Sequence, residues 1–137
     1  MKYYVLMPNL LNRIRRPDVT FYPGGRIDIS SRIAQKLSIQ KGDVIDVLAE
    51  KGEYMLYVRL RAEGCLIGRF EAQCYHANIG KHRAYNFRAH SRQLTEAVFL
   101  ASQGTKDYGK PLRLPAGEPI TIEGKGLVIP LIIRNPL

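Results

Sequence analysis

Residues Arg26–Ile29 alternate polar and apolar, with Ile27 and Ile29 on one face, the period of a half-buried strand. Ser30 or Ser31 can cap the short helix that follows, whose buried stripe is Ile33 and Leu37, one turn apart. Lys41-Gly42-Asp43 turns the chain into an apolar strand, Val44–Leu48. A polar turn around Gly52 then leads into a second strand, Tyr54–Leu60. Upstream, Lys2–Met7 reads as a short strand ending at Pro8, and Asn9–Pro17 fits either a helical turn or a basic loop. Val19–Tyr22 is extended, and Pro23-Gly24-Gly25 is a turn.

The second half runs through a comparable series. Cys65–Tyr75 has strand character weakened by Gly68, and His76–Ala84 turns around Gly80. Tyr85–Ala89 is a strand, and Ser91 caps a helix whose buried stripe includes Leu94 and Val98. Gln103–Pro115, with four Gly or Pro breakers, reads as a flexible loop. Pro119–Glu123 and Leu127–Ile133 form a last hairpin around Gly124-Lys125-Gly126.

The two series align. At a shift of 75, Gly42, Ile45, Leu56 and Arg59 fall on Gly117, Ile120, Leu131 and Arg134. Upstream, the run from Arg26 matches the run from Asn86 at a shift of about 60, with a one-residue slip before the helix. The recurring unit is strand, short helix, turn, strand, turn, strand. Helices this short need tertiary support, so the sheet must supply most of the core. The expected fold is mainly β: one domain over residues 1–137, a small barrel of two pseudo-repeated halves near 1–62 and 63–137, with two short helices.

The run GRIDISSRIAQKLSIQKGDVIDV, Gly25–Val47, resembles the core of the AbrB/SpoVT-type swapped-hairpin domain of bacterial transition-state regulators and antitoxins. The features that carry the resemblance are Gly25, Arg26, Ile27, Ile29, Ile33, Leu37, Ile39, Gly42, Asp43, Ile45 and Val47. A weaker second copy has Phe87, Ser91, Leu94, Gly117, Glu118, Ile120 and Ile122 but no leading Gly-Arg pair. One departure is Ser30, where the family usually has proline. In that family two chains interleave hairpins to complete one barrel. The resemblance therefore implies a monomeric pseudo-dimer, with a weak homodimer as the alternative through the apolar Leu127–Ile133 strand. That strand reads as an edge because Pro130 lacks a ladder donor.

Charge sharpens the functional expectation. Lys and Arg number 21 against 12 acids, a formal net charge of +9. Residues 1–68 carry 11 basic and 7 acidic groups and residues 69–137 carry 10 and 5, so the excess is no tail. A spread surplus of this kind suits a polyanion. Arg13, Arg15, Arg16 and Arg26 precede or open the first unit; Lys81, Arg83, Arg88 and Arg92 are their counterpart in the second. DNA-binding members of the resembled family present arginines from this part of the unit. These eight are the expected contacts to double-stranded DNA, and the expected role is a transcriptional regulator or antitoxin-like module. A structural or protein-interaction module, with a protein partner, is the alternative. Of the aromatics in these segments, Tyr85 and Phe87 fit the core better than a stacking surface.

Other chemistry is thinly supported. Cys74, His76, His82 and His90 have no zinc spacing. Neither G-x-S-x-G, phosphate loop nor H-E-x-x-H occurs. Cys65 and Cys74 lie in apolar stretches that favour an inert thiol. No enzyme activity, metal or cofactor is expected. The opening lacks a signal-peptide pattern and no run is long enough for a membrane span, so a cytoplasmic setting without a membrane partner is expected.

Overall fold

The computed structural model describes residues 18–50, 52–59, 70–77 and 86–133. The expected strand Lys2–Met7, Cys65, His82 and Tyr85 lie outside them, as do five expected DNA contacts: Arg13, Arg15, Arg16, Lys81 and Arg83.

The described chain is mainly β. In order come β1 (Asp18–Phe21), β2 (Arg26–Ile29), α1 (Ser31–Leu37), β3 (Val44–Glu50), β4 (Glu53–Val58), β5 (Ala72–Gln73), β6 (Tyr75–His76), β7 (Phe87–His90), α2 (Arg92–Gln103), β8 (Leu112–Pro115), β9 (Ile120–Ile122) and β10 (Gly126–Leu131). One sheet, A, has the order β6-β7-β2-β1-β8; the other, B, has β5-β3-β4-β10-β9. Every strand pair is antiparallel. Among the described residues these are two antiparallel sheets and no closed barrel, where a small barrel was expected.

The two sheets share a core. Val19, Phe21, Ile27, Ile29, Phe87, Ala89, Leu112 and Leu114 line the inner face of sheet A. They meet Ile45, Leu56, Ile129 and Leu131 of sheet B, with Ile33, Ala34 and Leu37 of α1 and Val98 and Phe99 of α2 filling the ends. In β1, β2, β4, β7, β8 and β10 alternation sends every second residue to this core. A second cluster, Met55, Tyr57 and Val128 with Leu48 and Ile122, occupies the opposite face of sheet B.

Three local expectations change. Gln103–Pro115 is not all loop: Leu112–Pro115 pairs with β1, with Leu114 opposite Val19 and Leu112 opposite Phe21. The L-R-L alternation was the signal, masked by Pro111 and Pro115 on either side. Leu127–Ile133 supplies no edge, because β10 runs between β4 and β9. Pro130 is tolerated there for a geometric reason. Its carbonyl accepts from Gly117 N at 2.9 Å, on the side away from β4. A strand residue's N and O point the same way, so the missing N–H is not a rung to Met55 across the pair. Ser30 also departs: at the N-cap of α1 its side chain caps no helical amide, and its Oγ accepts instead from Asp18 N at 3.2 Å.

Ser91 does cap α2. Its Oγ accepts from Leu94 N at 3.1 Å and donates to Phe70 O at 2.7 Å. Since Ser91 is buried, Ser91→Ala removes both bonds and strands a helical amide. We expect a loss of about 1–2 kcal/mol, seen as a lower urea midpoint at unchanged m-value.

Candidate nucleic-acid interface

Among the described residues, Arg26, Arg88 and Arg113 lie on the outer face of sheet A, and Arg92 opens α2 beside it. The register of β2 with β7 sets Arg26 opposite His90 and Asp28 opposite Arg88. Adding the flanking strands gives a cross-sheet row, Tyr75, Arg88, Asp28, Thr20 and Arg113. Arg26 heads the adjacent row beside Tyr22, its guanidinium carbon 3.8 Å from the ring centroid. Of the eight expected contacts, Arg26, Arg88 and Arg92 are described, and the β2–β7 pairing brings them together. Arg92 opens α2 where that helix touches Gly25, the residue before Arg26.

The three arginines are not equivalent. Arg88 Nε donates to Asp28 Oδ1 at 2.7 Å, and that bond holds the guanidinium more firmly protonated than usual. Arg113, which the sequence reading passed over inside its supposed loop, sits in a like position: its Nη2 lies 2.6 Å from Asp18 Oδ2. Asp18 is buried, so this partner matters to a carboxylate shielded from water. Arg26 and Arg92 hold looser pairs, with Asp28 at 3.7 Å and Glu96 at 3.1 Å. Their side chains are 44% and 76% exposed, against 27% for Arg88; Arg113, at 39%, differs from Arg26 by its closer carboxylate and not by exposure. Arg26 and Arg92 can therefore reach a phosphate, whereas Arg88 and Arg113 stiffen the face through carboxylates they already hold.

The aromatics divide. Phe21 and Phe87 are buried in the core. Tyr75 is 45% exposed beside Arg88, and His76 stacks on Phe87 with ring centroids 4.5 Å apart. Beside Arg92 a cleft of about 240 Å³ lies between Pro23–Gly25, the start of α2 and Lys106–Gly109, with Phe99 and Tyr108 in its wall.

Among the described residues no group of three His, Cys, Asp or Glu side chains could hold a metal ion. No described helix is long and apolar enough to cross a membrane. Cys74 is buried, and burial, reinforced by the Asp43 carboxylate, pushes its thiol from 9.0 up to about 12. The folded protein thus holds this proton more tightly than the unfolded chain. Its contribution to stability is whole below about pH 9 and is lost as pH rises from 9 toward 12. Peptide-mapped alkylation should find Cys74 unreactive at pH 8 until the protein is unfolded; fast labelling of the native protein would contradict this placement.

Comparison of the chain with protein-family models, with curated proteins and with solved structures returns no match.

Proposed function

We propose that this chain is a double-stranded DNA-binding protein, serving as a transcriptional regulator or antitoxin-like module, that meets the duplex with the Arg26–Arg92 end of sheet A. The observation that carries the reading is the antiparallel β2–β7 pairing. It sets Arg26 of the first unit beside the strand that carries Arg88 and leads into Arg92 of the second. Guanidinium heads held on a sheet can fork onto phosphates or guanine edges.

The AbrB-like pseudo-dimer belongs to the same proposal, and two strand registers support it. At a shift of 60, Ile27 and Ile29 map to Phe87 and Ala89. The pairs Ile27–Ala89 and Ile29–Phe87 are then related by a local two-fold axis through Asp28–Arg88. At a shift of 75, Tyr54 and Leu56 map to Ile129 and Leu131. The pairs Tyr54–Leu131 and Leu56–Ile129 obey the same rule about Met55–Pro130. On this reading the two halves, pairing through these strands in both sheets, act as two subunits fused into one chain. The protein-interaction alternative gains less. Exposed Ile120 shares a face with its partner Val128, while exposed Leu127 points to the other face of the hairpin, so these apolar groups form no joint patch.

Fluorescence anisotropy with a labelled mixed-sequence duplex tests the proposal. Micromolar protein should bind at low salt, and affinity should fall steeply from about 50 to 200 mM salt. Arg26→Gln with Arg92→Gln should weaken binding by roughly tenfold or more while leaving the circular dichroism unchanged. No binding by the wild-type chain at low salt would overturn it.

A further inference from the structure

We infer that the DNA-contacting face is chemically asymmetric about the β2–β7 axis, so that one chain recognises one non-palindromic duplex site; this rests on the DNA-binding reading above. A symmetric homodimer sets every residue of such a strand pair opposite the symmetry copy of its mate, and it meets an inverted repeat with two identical sets of side chains. The pairing here keeps that geometry but changes the chemistry. At the 60-residue shift Arg26 corresponds to Asn86, Asp28 to Arg88, and Ser30 to His90; Arg26, Asp28, Arg88 and His90 lie in the paired strands, while half-buried Ser30 and Asn86 flank them and line a small cleft with Asp28.

The axis itself is occupied by opposite charges. Asp28 and Arg88 face each other and are hydrogen-bonded at 2.7 Å, so they offset each other's charge at the axis, with Arg26 3.7 Å from the same carboxylate. In a homodimer the same position would hold either two aspartates or two arginines. On one side of this axis stands Arg26, steadied over Tyr22. On the other side the matched position is Asn86, a neutral amide, whose backbone carbonyl is taken by Ala77 N. Arginine forks onto guanine O6 and N7, and asparagine pairs bidentately with adenine. Among the described residues, a duplex laid across the axis meets a guanidinium on one flank and an amide on the other. Two identical half-sites would satisfy only one of them.

Selection from a randomised duplex library with the full-length chain tests this, with stoichiometry measured on the winning sequence. We expect an enriched motif without dyad symmetry, bound by one chain per duplex. Arg26→Asn should weaken binding to the selected site roughly tenfold and relax base preference on one flank only. Asn86→Arg should shift the preference on the opposite flank toward guanine, which keeps the test alive should Arg26→Asn disturb the Tyr22 contact. A palindromic motif, two chains per site, enrichment of no motif, or variants that alter both flanks alike would each overturn the inference while leaving DNA binding intact. Absence of any retained duplex would instead remove the DNA-binding reading, and this inference with it.

Discussion

Gly25→Ala should cost the protein about 3 kcal/mol, lowering the melting temperature by roughly 10 °C. Two causes add. Gly25 has φ +116, a conformation that side chains disfavour. A Cβ there would also lie 2.8 Å from the backbone N of Arg92 and 2.9 Å from its Cα. These are helix backbone atoms, so relief requires α2 to move as a body. Gly25 O also accepts from Ser91 N at 2.9 Å, so a shift would disturb the helix cap as well. Gly24 is the internal control. Its φ is +96, but nothing lies within 4 Å of an added Cβ. Gly24→Ala should therefore show the backbone term alone, about 1–2 kcal/mol. Equal losses in the two variants, measured by thermal and urea unfolding, would show that the close approach to Arg92 contributes nothing. The same contact links stability to the proposed interface, because it fixes where Arg92 stands relative to Arg26.

The other large effect is expected in the core of sheet A. Phe21 is fully buried on β1, the strand between β2 and β8. Phe21→Ala should cost about 3–5 kcal/mol, the transfer free energy plus a cavity that two flanking strands cannot collapse. Phe21→Leu should recover most of that loss. The informative comparison is with DNA affinity. Phe21 neighbours Tyr22 and Arg26 in sequence, yet its side chain faces the core. Per folded molecule, Phe21→Leu should bind duplex as the wild type does. A loss of affinity without loss of fold would mean that this ring serves the interface, and the assignment of the two faces of sheet A would be wrong.

The elements that could be read in the sequence are those whose local pattern and tertiary environment agree. Ile27 and Ile29 alternate because one face of β2 is wet, and Ile33 and Leu37 repeat because α1 lies on the sheet. Ser91 announces α2 because an N-cap is a local requirement. What stayed illegible is set by partners distant in the chain. β8 is four residues long and is a strand because β1, some ninety residues earlier, offers it an edge. β10 carries a proline that argues locally for an edge strand, and only the hydrogen bond from Gly117 reveals on which side the missing donor falls. The same limit applied to the candidate interface. The order of charges along the chain picked out the arginines, three of which, Arg26, Arg88 and Arg92, are described, but nothing in the local sequence said that Asp28 would occupy Arg88 or that Arg113 would join the same face. Ion pairing across strands depends on register, and register is a property of the assembled sheet.

The way both sheets interleave early and late strands has a consequence for the protein's synthesis. β1 gains its outer neighbour only when Leu112–Pro115 has been made, β2 waits for Phe87–His90, and β4 waits for Gly126–Leu131. No sheet of this fold can be completed while the first half alone has left the ribosome. Until then β2 and β4 each present an unpaired edge flanked by apolar side chains, the kind of surface that pairs with any other strand within reach. Sheet B is complete only once Gly126–Leu131 has been made, and more than half of the described contacts span long sequence separations. Such a topology folds slowly for its size. A cell making this protein in quantity would therefore depend on keeping the nascent first half from meeting its neighbours on the same polysome.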